Sequence, residues 1–399
     1  MATAVVLSLP EHGHMNAIYP VIAELTRRGE RVIAFGTEPY RAAIEQAGAT
    51  YTSYGEAERF RPPVHTSGLY GVMAHLMGLA EEVLPALLHR LRADPPDYLL
   101  IDSMCVWGHL AQQVLGTPAA TLGSVFVPDD RQISTDDLVA QAYGNAPKAV
   151  LLQAIDALNT YIETSRRVDR RHGTHSPDLV QFFAGRQKLN IIFTSQYFHL
   201  AGDRYDDSYR FVGPSIATRA GGGELPSGPG PLVYISMGTI FNDLPEFYRA
   251  CYEALGATRY RVVLVTGGKV DRQSIENPPE NFTVMESAAQ LQVLERASVF
   301  VTHGGMNSAN EALWNGVPLL VFPQHGDQHL VASRVSELGA GLALGAPEVA
   351  PRRIRDMVER LDSEPGFRVQ AAKIAESFRS AGGYRRAADE IFVFRNQQN

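Results

Sequence analysis

The chain has 399 residues, 45% of them hydrophobic and 20% charged, with a formal net charge of −7. That composition excludes a disordered or fibrous chain, and the length suits two domains that each bury a core. The acidic balance argues against a protein that lives on nucleic acid or on an anionic membrane.

Two cysteines, Cys105 and Cys251, exclude a disulfide framework and a Cys-rich zinc module. They fit a reducing, cytoplasmic setting. The N-terminal MATAVVLSLPEHGH lacks the basic leader and long apolar run of a signal peptide. No stretch approaches 18 consecutive apolar residues, so no membrane insertion is expected.

Thr3 to Leu9 reads as a buried strand that breaks at Pro10–His14. Ile18, Val21, Ile22 and Leu25 then recur at helical spacing up to Gly29, and Arg31 to Phe35 is a strand again. Such a strand–helix–strand unit builds a parallel sheet. Tyr98–Ile101, Thr117–Leu122 and Asn190–Thr194 are further strands, and Val106–Leu115 is helical. The stretch Arg219–Pro231 is rich in Gly and Pro and has no periodicity, as a linker would. The alternation then restarts, with strands at Leu232–Ser236, Arg261–Val265, Val299–Thr302 and Leu319–Phe322. Tyr384–Arg395 is an amphipathic helix with Ala388, Ile391 and Phe392 on one face. The reading is α/β throughout. Residues 1–215 form one domain, 216–231 the linker, 232–380 a second domain, and 381–399 a helix that packs back on the first.

Ligands of open parallel sheets bind at the carboxyl ends of the strands. That rule selects His12, Gly13, His14, Asn16, Asp102, Gly238, Thr239 and the segment His303-Gly-Gly-Met-Asn-Ser308. The Gly-Gly turn before a helix suits a diphosphate, which needs backbone N–H groups and the helix dipole. A capping box of Ser308 and Glu311 is the plain structural alternative. His14 suits a general base and Asp102 the carboxylate that orients it. A helix-capping loop histidine and an N-cap aspartate are the corresponding alternatives. His12 and His14 make only a weak metal pair, because no third ligand is evident. The first turn has no G-x-G-x-x-G, which argues against a dinucleotide enzyme.

The segment Gln290 to Gln328, QLQVLERASVFVTHGGMNSANEALWNGVPLLVFPQHGDQ, resembles the nucleotide-sugar signature of family 1 glycosyltransferases. The chain as a whole is similar to the bacterial macrolide-type members. The resemblance implies a GT-B fold, two facing Rossmann-like domains with a cleft between them. It implies an inverting transfer of a hexose, glucose first, from a UDP-sugar co-substrate to a small apolar acceptor such as a macrolide, polyketide or phenolic compound. Neither a metal nor another cofactor is implied, and the state is monomer or homodimer.

By position, His14 matches the base and Asp102 its partner. His303, Gly305, Asn307 and Ser308 match the diphosphate contacts, with Gly238 and Thr239 opposite. Glu311 matches the ribose contact, Gln290 the base contact, and Asp327 with Gln328 the pair that reads the sugar hydroxyls. Two positions depart from the pattern. Ala17 stands where the family has a proline at the start of the helix. Ser287 stands where an aromatic ring stacks on uracil, which leaves UDP and dTDP both open. Phe60, Tyr70, Met73, Met77, Phe126 and Tyr143 are candidates for an apolar acceptor pocket, or for core packing. A TDP-deoxysugar transferase and a non-catalytic sugar-nucleotide-binding homologue are the rival readings.

Overall fold

The computed structural model describes residues 2–60, 68–129, 131, 133–144, 146–217, 228–239, 242–324 and 326–398. Most of the expected linker lies outside them. The chain forms two compact units. The first comprises Met1–Phe193, Ala201–Ser215 and Gly382–Asn399, and the second Thr194–Leu200 and Ile216–Ala381. The short segment Thr194–Leu200, read from sequence as part of the first domain, therefore belongs to the second unit.

The first unit holds β1 (Thr3–Leu7), β2 (Arg31–Gly36), β3 (Thr50–Ser53), β4 (Tyr98–Asp102), β5 (Ala119–Gly123), β6 (Leu189–Ile192) and β7 (Tyr209–Phe211). They form one parallel sheet in the order 3-2-1-4-5-6-7. Period-two alternation sends the side chains of each strand to two cores. Val5, Leu7, Leu99 and Ile101 face one cluster. Ala4, Val6, Tyr98 and Leu100 face the other. A sheet covered on both faces needs such uninterrupted apolar strands.

The helix Gly68–Ala93 fills the first cluster with Met73, Leu76, Met77, Leu84 and Leu88, against Trp107. By length and composition it would be able to cross a membrane, which the sequence reading did not anticipate. Its apolar face is used by the core instead. The helix His12–Arg27 covers the other face with Met15, Ile18, Val21, Ile22 and Leu25.

The terminal helix Gly383–Gln398 completes that same cluster with Ala387, Ala388, Ile391 and Phe394. Burying the Ile and Phe side chains contributes about 1.5–3 kcal/mol each. Polar contacts fix its angle. Arg28 donates to Asp389 at 2.5 Å, and Arg395 donates to the buried Glu30 at 2.5 Å. Tyr98 also donates to Glu30, at 2.9 Å.

The second unit holds β8 (Leu232–Ser236), β9 (Arg261–Val265), β10 (Phe282–Met285), β11 (Ala297–Thr302), β12 (Leu319–Val321) and β13 (Gly341–Ala343). Its parallel sheet runs 10-9-8-11-12-13. Both sheets thus reverse their winding at one place, between β1 and β4 in the first unit and between β8 and β11 in the second.

Candidate active site

In the first unit the chain leaves β1 through Ser8, Leu9 and Pro10 and enters the helix at His12, with Glu11 as N-cap. The sequence reading extended the break to His14. His14 instead sits in the first helical turn, so it is not a loop residue. Ala17 lies in the second turn and is buried, beyond the helix start at which the sequence reading placed it.

Asp102 ends β4, the neighbour of β1, and its side chain is fully buried. The His14 Nδ1 lies 2.7 Å from Asp102 Oδ2. A carboxylate can only accept, so Nδ1 carries the proton and the basic lone pair falls on Nε2. Ser124 Oγ, just past the end of β5, is 3.0 Å from the same Nδ1. Asp102 Oδ1 accepts from the backbone N–H of Met104 at 2.9 Å. The carboxylate therefore caps the following turn with one oxygen and holds His14 with the other. The helix that follows takes Cys105 as its N-cap, so the plain N-cap alternative for Asp102 does not hold.

Of the acceptor candidates, Phe60, Met73 and Met77 belong to the buried core, and Phe60 packs edge-on against Trp107. The packing alternative holds for these three. Tyr70 and Tyr143 stack at 5.6 Å, and Tyr143 Oη accepts from the Tyr70 backbone N–H. Phe126 is buried beyond the end of β5. His12 packs against the Tyr40 ring at 5.1 Å.

In the second unit, Ser236 and Thr302 are register partners, so the turns after β8 and β11 lie side by side. The His303 ring lies between two glycines. A Cβ on Gly305 would sit 2.4 Å from its Nε2, and one on Gly238 2.6 Å from its Cε1. Gly238 also has a φ of +78°, where a side chain is strained. Burial pushes the His303 pKa down to about 4, partly opposed by its hydrogen bond to the Ser236 backbone. The imidazole is neutral at ordinary pH. Its single N–H is taken by the Ser236 backbone, so the ring brings neither a charge nor a spare donor.

The helix Met306–Trp314 follows, with Gly305 as N-cap and no side-chain cap. Ser308 and Glu311 are thus inside the helix, and the capping-box alternative does not hold. The amide of Gln290 donates to Glu311 at 2.8 Å and to Ser308 Oγ at 3.4 Å. Its oxygen accepts from Tyr234 Oη at 3.2 Å. Base and ribose candidates therefore form one network. Asn307 occupies the first turn of the helix, and Thr239 is exposed beyond β8.

Asp327 opens the helix Asp327–Glu337. Gln328 follows it, and its side-chain oxygen accepts from the Gln324 backbone N–H at 2.8 Å. Ser287 is exposed. Sequence reasoning missed Ser124 and Tyr234. The strand-end rule selects Ser124 once β5 is placed, whereas Tyr234 lies within a strand and gave no signal.

Polar residues at the switch point of each parallel sheet define the class, an α/β protein that binds ligands at its strand ends. Residues 253–383 match the family described as erythromycin biosynthesis protein CIII-like, C-terminal domain. The NDP-glycosyltransferase YjiC of Bacillus subtilis (strain 168) is 31% identical over 97% of this chain and 96% of its own. Demethyllactenocin mycarosyltransferase of Streptomyces fradiae is 30% identical over 98% and 86%. The crystal structure of the glycotransferase of kitacinnamycin superposes with a TM-score of 0.84 at 27% identity, covering 98% of each chain. The chain belongs to the family 1 glycosyltransferases of the macrolide type. It has the GT-B fold and is a glycosyltransferase that takes a nucleotide-sugar donor.

Proposed function

We propose that this enzyme transfers a hexose, glucose first, from a UDP-sugar to a hydroxyl of a small apolar natural product or phenol, with inversion. The 2.7 Å contact between His14 and Asp102 carries this reading. His14 Nε2 takes the acceptor proton as the oxygen attacks C1 of the sugar. The C1–O bond to the diphosphate breaks on the opposite side. Asp102 stabilises the imidazolium that forms. The N–H groups at the start of Met306–Trp314, together with Asn307 and Ser308, meet the negative charge on the leaving UDP, and neutral His303 lines that diphosphate. Gly238 and Thr239 flank that diphosphate. Gln290 and Glu311 hold the nucleoside, and Asp327 and Gln328 read the sugar hydroxyls.

A second reading, a TDP-deoxysugar donor, is left open by the base position. Exposed Ser287 offers a base no ring to stack on, and such stacking is worth about 1–3 kcal/mol in nucleic-acid sites. The relative named a mycarosyltransferase agrees with it. The test offers UDP-glucose and a dTDP-deoxyhexose with a phenol and a macrolide aglycone. A glucoside of inverted configuration from UDP-glucose supports the first reading. Transfer from the dTDP-sugar alone replaces it with the second, and transfer from neither overturns both.

A further inference from the structure

Behind Asp102, on the helix Val106–Leu115, lies a second histidine that the mechanism above does not use. His109 Nε2 is 3.2 Å from the Asp102 backbone oxygen, and its Nδ1 is 3.1 Å from the Gln187 side-chain amide. A carbonyl only accepts and an amide NH2 only donates. The two contacts together assign the tautomer, with the proton on Nε2 and Nδ1 as acceptor. Desolvation pushes the His109 pKa down to about 4, against the opposing pull of Asp102, so the ring is neutral at working pH.

Its position matters because the Asp102 carboxylate is held by its own backbone turn. The Asp102 carbonyl accepts from Cys105 N at 2.9 Å and from His109. Oδ1 accepts from Met104 N, and Oδ2 faces His14 and, at 3.5 Å, Ser8 Oγ. Gly185 leaves room for this arrangement, since a Cβ there would lie 2.2 Å from Ser103 O and 2.9 Å from His109 Nε2. We infer that His109 is a positioning residue for the general base: a neutral imidazole that fixes the Asp102 turn and so fixes how Asp102 holds His14.

Among the described residues, the titratable groups along this line are His14, Asp102, Cys105, His109 and, through Cys105, Tyr54. Asp102 faces His14. Cys105 and His109 face Asp102, and the Cys105 thiol is pushed up by burial and then by the Asp102 charge. Neutrality of His109 is part of its role. A cation there would compete with His14 for the same carboxylate and weaken the base. This inference rests on the proposed role of His14, and its test has a readout that needs no acceptor.

The test compares His109→Ala, His109→Gln and His109→Lys, each first shown to unfold cooperatively and to bind UDP as the parent does. The Gln amide can reproduce the donor to the Asp102 carbonyl, the Ala cannot, and the Lys adds a charge. Histidine NMR titration of the whole protein follows the His14 imidazole, assigned by its loss in His14→Ala. The expected result is that His14 titrates at lower pH in His109→Ala and His109→Lys and near the parent in His109→Gln. Turnover should fall about tenfold in the first two, with the donor KM unchanged. An unmoved His14 titration in both Ala and Lys variants overturns the inference, whatever the activity. Full turnover in His14→Ala would instead overturn the proposed function and leave the titration result standing by itself.

Discussion

Leu7 of β1 pairs in register with Ile101 of β4, and that pairing is why His14 and Asp102 meet. The residues lie 88 apart in sequence. Adjacent parallel strands end at the same level, so the turn after one reaches the last residue of the other. Removal of the proposed base should therefore be a local loss. His14→Ala is expected to lower turnover by about 10²–10⁴-fold while the rise in unfolding temperature caused by the donor's nucleoside diphosphate stays as in the parent. Parent-like turnover would refute the role.

Asp102→Asn keeps the shape of the side chain and removes its charge. The amide can still accept from Met104, but it no longer stabilises an imidazolium. A drop in kcat of at least 10²-fold is expected, with donor affinity unchanged. Steady-state kinetics separates the two, and an increase in donor KM alone would contradict the assignment.

Gly305→Ala places a methyl 2.4 Å from His303 Nε2, where the ring has nowhere simple to go. Overpacking of this kind costs about 1–3 kcal/mol, so affinity for the donor's nucleoside diphosphate should fall about 10–100-fold. Titration calorimetry with UDP reads it directly. Gly13→Ala is the control, because a Cβ there meets nothing within 4 Å.

Acid should destabilise the protein well above the carboxylate range. Burial pushes His109, His199 and His303 down to about 4 from an ordinary value of 6.5. Between those values the unfolded chain takes protons that the folded chain refuses. Stability is complete above about pH 6.5 and is lost as pH falls towards 4, by up to about 1.4 kcal/mol per pH unit for each histidine. Glu24, lowered to about 2 chiefly by its hydrogen bond to Arg27, adds to the loss only below its ordinary 4.5. Urea unfolding at pH 7, 5.5 and 4.5 measures the slope, which His199→Gln should flatten.

Arg395→Ala leaves Glu30 buried with, among the described residues, only Tyr98 as a side-chain donor. A cost of about 2 kcal/mol is expected from the lost charge-assisted hydrogen bond, because Arg395 is itself partly exposed. Urea unfolding reads it, and an unchanged midpoint would show that the pair contributes nothing net.

The strands Leu232–Ser236 and Arg261–Val265 and the helix Val106–Leu115 were legible in full, because each is a short apolar or periodic run between breakers. The site was legible as far as strand ends reveal it, which is why His14, Asp102 and His303 emerged as candidates. Three features were not. The helix start at His12 depends on Glu11 adopting an N-cap conformation without side-chain capping, which composition does not encode. The apparent Ser308–Glu311 capping box failed because the backbone wraps His303 through Gly305, so the helix begins earlier. Phe60, Met73 and Met77 read as pocket or, more readily, as core, and the three-dimensional neighbours place them in the first cluster.

The return of Gly383–Gln398 to the first unit has a consequence for biosynthesis. The ribosome delivers β1 long before Gly383–Gln398, the helix that covers the His12–Arg27 face. Until then Ile18, Val21, Ile22 and Leu25 lack the cover of Ile391 and Phe394. The second unit, most of it within Ile216–Ala381, is already synthesised by that point. Maturation should therefore run against the order of synthesis, and a nascent chain stalled before Gly382 should be the form that chaperones hold and proteases find.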